Sequence, residues 1–154
     1  MLLYDEITVN RIKLLHPDIR EDVRKWYLEI NKRLPMGIRL RFSSTYRSFE
    51  EQDKLFAKRP KVTNAKGGQS IHNYGLAFDI VILKMKDGKW VADWNVDKYW
   101  VQVAEYFKDK GFTWGGDWTS FRDYPHFELT KGKDWRHFAS LPKIKDNGIE
   151  YPKL

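Results

Sequence analysis

The chain has 154 residues and a net charge of +7, and 42% of its residues are hydrophobic. This length suits one domain with a single core, and the hydrophobic content excludes a disordered chain. The absence of cysteine excludes disulfides, a thiolate metal site and a cysteine nucleophile, and no apolar run reaches the roughly 20 residues that span a bilayer.

The positive charge predicts an anionic partner, which is nucleic acid, a membrane surface or a bacterial wall polymer. Basic residues are spread along the chain, so an evenly solvated surface is an equally good interpretation. The first six residues lack a basic region followed by an apolar run. We therefore expect no secretory signal and synthesis in a cytoplasm.

The first half of the chain predicts a helix followed by a strand. Asp18 and Glu21 have the spacing of a capping box, and apolar residues at helical spacing predict a helix that ends at Arg33, before Pro35. Residues 38–42 alternate strictly between apolar and basic side chains. This alternation is typical of a half-buried strand.

A second capping box, Ser48–Glu51, predicts a short helix that ends near residue 58. A polar loop without apolar periodicity follows over 60–69, and residues 76–83 predict a strand. On this strand Gly75, Ala77 and Asp79 fall on one face. Because two of these residues are very small, we expect open space beside the carboxylate of Asp79.

The second half predicts shorter elements. The patterns indicate a hairpin turn at 86–89 with a return strand at 90–92, a helix that starts after Asp97 and ends at Gly111, and a strand at 126–129. The last dozen residues are rich in proline, lysine and aspartate. We expect them to form a loosely docked tail.

Two histidines and one aspartate are placed to share a metal ion. His72 precedes the strand that carries Asp79, and His126 begins another strand. If these strands are adjacent and antiparallel, all three side chains reach one ion. Two histidines and a carboxylate with a fourth position open are typical of a catalytic zinc, although a single histidine is more often a packed, hydrogen-bonded residue.

A hydrolytic zinc site also needs a base and a cation for the oxyanion. Asp123 and Glu128 are the candidate bases; we favour Asp123, and expect Glu128 to orient a ligand or line the cleft. Arg47 is the best-placed cation, since a basic residue at a helix start is otherwise mildly unfavourable. Gln52, one turn into that helix, is expected to line the same cleft.

The segment Trp114–Trp118 has two interpretations. Its aromatic side chains either cap the core around a turn that Gly115 and Gly116 allow, or form a cleft wall that contacts a peptide or sugar.

Together these residues resemble the LAS-type zinc peptidases, which include lysostaphin-like enzymes, D-Ala-D-Ala peptidases and hedgehog domains. The pattern Ser-x-His-x-x-Gly-x-Ala-x-Asp is complete at Ser70–Asp79, and Asp-x-x-His is present at Asp123–His126. Within the group the chain is most similar to phage and bacterial L-alanyl-D-glutamate endopeptidases. The resemblance covers about residues 14–130 of a single domain, with a tail at about 140–154.

The resemblance implies a hedgehog/D-Ala-D-Ala peptidase-like α+β fold, with helices flanking a small antiparallel sheet. It implies one Zn²⁺ bound by His72, Asp79 and His126, with Asp123 as base and Arg47 as oxyanion stabiliser. D-Ala-D-Ala dipeptidases have glutamate where this chain has Asp123, which favours the endopeptidase branch. Further site residues, in contact with substrate or behind the ligands, are Ser70, Gln52, Glu128, Trp114 and Asp117.

The preferred hypothesis is a zinc endopeptidase that hydrolyses the L-Ala–D-Glu bond of peptidoglycan. We expect a monomeric, bacteriolytic phage or prophage endolysin without stable membrane association, which reaches the wall after the membrane is permeabilised. The alternative is a D-Ala-D-Ala carboxypeptidase or dipeptidase. A non-catalytic, metal-bearing wall-binding domain is a third hypothesis, and no nucleic-acid motif supports a nucleic-acid binder.

Overall fold

A computed structural model describes residues 3–154. Met1 and Leu2, the first residues of the segment that we expect not to be a secretory signal, lie outside the described residues. The helices are α1 (Glu6–Ile12), α2 (Arg20–Arg33), α3 (Phe49–Ala57), α4 (Lys98–Asp109) and α5 (Trp135–Ser140), with 3₁₀ turns at Ile71–Tyr74 and Gly115–Asp117. The strands are β1 (Ile38–Ser44), β2 (Ala77–Lys86), β3 (Lys89–Asp93), β4 (Thr113–Trp114), β5 (His126–Glu128), β6 (Lys143–Asp146) and β7 (Ile149–Pro152). None of the helices within this range is long and apolar enough to cross a membrane.

The main sheet is antiparallel and has the order β1-β2-β5-β4, with β3 paired to the distal part of β2. In this register Asp79 lies opposite His126 on one side and opposite Ser44 on the other. The predicted adjacency of the two strands is correct. The α+β class, with a small antiparallel sheet and flanking helices, is confirmed.

Stacked phenylalanine side chains fill the core on one face of this sheet. The ring centroids of Phe42 and Phe78 lie 4.1 Å apart, and those of Phe78 and Phe127 lie 5.3 Å apart. Tyr27 of α2 and Phe107 of α4 pack edge-on against Phe42 and complete the cluster on the helix side. Because side chains alternate along a strand, the neighbours of Phe78 and Phe127 point to the opposite face, where the candidate site lies.

Most predicted helix ends are correct. The helix α2 ends at Arg33, and both bonds of the Ser48–Glu51 capping box are present at α3, which ends at Ala57. The Asp97 side chain accepts hydrogen bonds from the first backbone N–H groups of α4, and Gly111 follows that helix with φ +99°.

The predicted capping box at Asp18 and Glu21 is wrong. The helix α2 begins at Arg20, and its N-cap residue makes no side-chain bond. The turn is instead closed by His16, whose ring accepts a hydrogen bond from the backbone N–H of Asp18 at 3.0 Å. A buried histidine therefore organises the turn that the sequence pattern assigned to Asp18.

The predicted role of Gly75 as open space beside Asp79 is also wrong. Gly75 lies before β2, in the left-handed conformation with φ +70°, at the end of the 3₁₀ turn. A Cβ there would come within 2.6 Å of the backbone nitrogen of His16 and 2.9 Å of the Tyr151 ring. The glycine allows the first turn and the C-terminal segment to approach closely.

The segment predicted to be a loose tail is a docked hairpin formed by β6 and β7. The Tyr151 side chain is 1% exposed, and its hydroxyl donates to the backbone carbonyl of Leu14 at 2.8 Å. The carbonyl of Pro152 lies 2.6 Å from Nε2 of His16. Buried aromatic contacts, which composition does not reveal, hold this hairpin against the core.

Candidate metal centre

His72, Asp79 and His126 converge on one point on the face of the sheet opposite the phenylalanine core. Their potential ligand atoms all lie within 4.8 Å of one another. The same oxygen, Oδ1 of Asp79, lies 3.1 Å from Nε2 of His72 and 3.0 Å from Nδ1 of His126. The three residues come from the 3₁₀ turn Ile71–Tyr74, from β2 and from β5, so the fold brings together the residues predicted as ligands.

Each imidazole ring is oriented by a second partner behind it. Nδ1 of His72 lies 2.7 Å from the backbone carbonyl of Thr45, and Nε2 of His126 lies 2.7 Å from Oε1 of Glu128. If these nitrogens carry the protons, the opposite nitrogens face Asp79 with free lone pairs. Such outer partners are typical of metal-ligating histidines, so the donor set fits a metal ion.

The charges of the three residues are strongly coupled. Burial alone would raise the pKa of Asp79, but the two histidines hold it well below its usual range. Burial lowers the pKa of His126, whereas hydrogen bonds to Asp79 and Glu128 outweigh this effect and raise it to about 9. A metal ion must displace such protons, so its binding is coupled to proton release.

A cavity of about 410 Å³ opens over this cluster. Its polar lining includes Arg47, Asp123 and Glu128 beside the three clustered residues, and its walls include Leu55, Val62, Ile71 and Trp118. A cavity of this size accommodates a short stretch of peptide.

The carboxyl group of Asp123 borders the cavity without belonging to the cluster. Burial and the negative charge of Asp79 raise its pKa, although the histidines and Arg47 act in the opposite direction. Its backbone N–H donates to the carbonyl of Gly115 at 3.0 Å. A Cβ on Gly115 would collide with the backbone of Asp123, so the glycine is needed for this close approach.

The guanidinium group of Arg47 is held in the cavity wall. It donates to Oε1 of Gln52 at 2.8 Å and to Oγ of Ser44 at 3.2 Å. Burial lowers its pKa, but an arginine stays charged at neutral pH. Gln52 is fully buried behind Arg47 and donates to the carbonyl of Ala65, so it does not line the cavity but lies behind a site residue, which is the other place predicted for it.

Ser70 and Asn73 fix the turn that carries His72. The Ser70 hydroxyl accepts from the backbone N–H of His72, and the Asn73 side chain accepts from the N–H of Ser70 and donates to the carbonyl of Arg47 at 2.8 Å. Asn73 was missed in the sequence, although the Ser-x-x-Asn spacing of a capping box is present there.

The tryptophan segment divides between the two interpretations. Trp114 is buried against Phe127 and donates to the carbonyl of Tyr124 at 2.7 Å, and Asp117 forms an ion pair with Lys108. Neither residue lines the cavity, so neither is placed to contact a substrate there. Trp118 does line it, and its ring centroid lies 5.5 Å from that of His126.

The sequence is similar to one family model and to two named relatives. A model of the D-alanyl-D-alanine carboxypeptidase family matches residues 63–129. The peptidoglycan L-alanyl-D-glutamate endopeptidase CwlK of Bacillus subtilis (strain 168) is 45% identical over 104 residues, which are 60% of this chain and 62% of that protein. The L-alanyl-D-glutamate peptidase of Listeria phage A118 is 36% identical over 82 residues, 50% of this chain and 28% of that protein.

The predicted family resemblance is confirmed. The fold is also similar to the crystal structure of the Serratia marcescens L-Ala D-Glu endopeptidase ChiX, with a TM-score of 0.59 and 26% identity over 82% of this chain and 89% of that one. The chain spans 62% and 28% of the lengths of the Bacillus and phage relatives. The family match covers His72, Asp79, Asp123 and His126.

Proposed function

We propose that this chain is a zinc-dependent peptidoglycan endopeptidase that hydrolyses the L-alanyl-D-glutamate bond of the stem peptide. The observation that carries the proposal is the convergence of His72, Asp79 and His126 under a cavity that also contains Asp123 and Arg47. Relatives named for this activity in Bacillus subtilis, a Listeria phage and Serratia marcescens support the choice of bond.

In this proposal His72, Asp79 and His126 hold one Zn²⁺. A zinc ion in such a site lowers the pKa of bound water and polarises a carbonyl group. Glu128 keeps the His126 ring in the orientation that presents Nδ1, since it lies 2.7 Å behind the other ring nitrogen. All three residues line the cavity, so an ion held by them would be accessible there to a substrate carbonyl.

Asp123 is the general base in this mechanism and takes the proton of the attacking water. Its raised pKa makes the carboxylate a stronger base than an exposed aspartate. Arg47 faces the same cavity, and its guanidinium keeps N–H donors beyond the two that bind Gln52 and Ser44. We assign to it the stabilisation of the oxyanion that forms when water attacks.

Mass spectrometry of digested peptidoglycan tests the bond. We expect products in which L-alanine stays on the glycan and a new amino group appears on D-glutamate. The matched control is the Asp123→Asn variant, which should leave the material uncut. Products cut at any other bond would contradict the proposal.

The second candidate is a D-Ala-D-Ala carboxypeptidase, because the matching family model carries that description. This activity would use the same candidate metal centre. The product of this activity is free D-alanine, which the same digests would reveal. Free D-alanine without a new amino group on D-glutamate would favour this candidate.

We further propose that the chain acts as one monomeric catalytic domain whose partner is the bacterial wall. The phage relative supports an endolysin role, in which the enzyme meets peptidoglycan after the membrane is permeabilised. Purified protein should therefore lower the turbidity of chloroform-treated Gram-negative cells. Unchanged turbidity with a protein that cuts isolated peptidoglycan would contradict the endolysin role and leave the bond assignment intact.

A further inference from the structure

The cavity over the candidate metal centre adjoins a second depression along α3, which we call the basic shelf. It has a volume of about 320 Å³ and is lined by Arg47, Glu51, Lys54, Leu55 and Lys58. Arg47 and Leu55 line both cavities, so the shelf begins where the candidate active site ends. The two depressions together form a continuous path for a peptide that crosses the candidate metal centre.

The shelf carries a net positive charge. Its one acidic residue, Glu51, is used in the helix cap, where Oε1 accepts a hydrogen bond from the backbone N–H of Ser48 at 3.0 Å. Lys54 lies 3.5 Å from Glu50, but both side chains are at least three-quarters exposed. Such surface pairs are weak, so the ammonium group of Lys54 can exchange this partner for a ligand.

The floor of the main cavity is mixed in charge. Asp79, Asp123 and Glu128 present carboxyl groups there beside His72 and His126, and a bound Zn²⁺ would add two positive charges. The shelf, by contrast, has Lys54 and Lys58 beyond Arg47, and neither lysine belongs to the candidate metal centre. A negatively charged group of a substrate is therefore favoured on the shelf.

The chemistry of the proposed substrate supplies such a negative group. The scissile bond uses the amino group of D-glutamate. Glutamate has two carboxyl groups, and continuing the peptide uses at most one of them. An unmodified D-glutamate residue therefore keeps one free carboxylate close to the bond, on its C-terminal side.

We propose that Lys54 and Lys58 on the basic shelf bind this free carboxylate and thereby select peptides whose D-glutamate is not amidated. The inference rests on the proposed function. Lys54 lies in α3 and Lys58 is the residue that directly follows this helix, and both line the shelf. The bound peptide then runs with its acidic part over α3 and its glycan-linked alanine toward Trp118.

Two muropeptide substrates test the inference, one with a free D-glutamate carboxylate and one in which that group is a carboxamide. Wild-type enzyme should have the lower KM for the free acid. The double variant Lys54→Gln, Lys58→Gln should raise that KM about fivefold, as expected for two partly exposed ion pairs, with kcat little changed. Added salt should raise the same KM in the wild type and have less effect in the variant.

The matched control is Lys86→Gln, Lys89→Gln, which removes the same charge from the exposed turn at the distal end of β2. We expect it to leave both KM values unchanged. Unaltered cleavage of the amidated substrate by the shelf variant shows that the variant is folded. Equal losses with both substrates, or a similar loss in the control, would overturn the inference while the proposed function stands; failure of wild-type enzyme to cut either substrate would overturn both.

Discussion

The two candidate ligand histidines are held by partners of different kinds. His72 faces a backbone carbonyl, that of Thr45, which no side-chain substitution removes. His126 faces the carboxylate of Glu128, which a substitution can remove without touching the three candidate ligands. A substitution of Glu128 therefore tests how much the orientation of the His126 ring contributes to metal binding while all three candidate ligands stay in place.

We expect Glu128→Ala to weaken zinc binding about 10- to 100-fold, because the His126 ring loses the acceptor that fixes it. Glu128→Gln keeps an acceptor oxygen in the same place and should lose less. Titration against a chelator of known affinity measures both variants. An alanine variant that binds zinc as tightly as wild type would contradict the orienting role.

The Asp123→Asn substitution should leave zinc binding intact and reduce turnover by about 10² or more, since the amide cannot accept the proton of water. Metal analysis and initial rates on isolated peptidoglycan give the two measurements. His72→Ala provides the contrast, because it should lose the metal as well as the activity. An active asparagine variant would remove Asp123 from the mechanism.

At the scale of elements, the hairpin of β6 and β7 supports the turn that carries His72. The Tyr151 ring packs against Gly75, where a side chain would collide with it. Gly75 ends that 3₁₀ turn, three residues after His72. The carbonyl of Gly75 also accepts from the backbone N–H of His16 at 2.9 Å. The C-terminal hairpin thus contacts the region of the candidate site at Gly75, and also at Tyr46 and Tyr74.

Removing the Tyr151 ring tests this support. Tyr151→Ala should lower the free energy of unfolding by about 3 kcal/mol, because it opens a cavity at a fully buried position. Tyr151→Phe removes only the hydroxyl bond to Leu14 and should lower it by about 1 kcal/mol. Urea unfolding measures both values, and equal stability of the two variants would show that the ring does not anchor the hairpin.

Local patterns in the sequence predicted elements well where one short interaction decides the structure. The Ser48–Glu51 cap, the Asp97 cap and the β2–β3 turn are of this kind. Local patterns did not predict α1 or α5. These helices are one to two turns long and depend on tertiary contacts. Asp5, for example, caps α1 but is fixed by Arg41 of β1, 36 residues away.

The candidate site shows the same division. Its candidate ligands and candidate base could be predicted because their spacing in two motifs is specific, and β2–β5 pairing then brings Asp79 and His126 together. The positions of the other side chains around the cavity could not be predicted in this way. Trp114, Asp117 and Trp118 are neighbours in sequence, but only the backbone path of the 3₁₀ turn decides that Trp118 alone of these three reaches the cavity.

For the whole molecule, the Asp5–Arg41 ion pair predicts how stability depends on pH. Burial raises the pKa of Asp5, but hydrogen bonds from Arg41 and Thr8 outweigh this and lower it below the usual value. A carboxyl group whose pKa is lower in the folded state stabilises the fold above its unfolded pKa. That contribution is lost as the pH falls through the folded pKa.

We therefore expect Asp5→Asn to lower the free energy of unfolding by about 2 kcal/mol at pH 7, because a buried charged hydrogen bond is lost. The difference should shrink as the pH falls below about 4, where the wild-type carboxyl group also becomes protonated. Thermal unfolding over this pH range measures it. Glu29→Gln, at the exposed Arg33–Glu29 ion pair, is the control and should change little.

The pairing of Asp79 with His126 has a consequence for the lifetime of the folded protein. These residues are 47 positions apart, and a shared ion would close the loop between them in a chain that has no disulfide. Because the unfolded chain has no such site, an ion bound to the folded state alone shifts the equilibrium toward that state. Metal supply would then set how long the enzyme survives against proteases, as well as how fast it cuts.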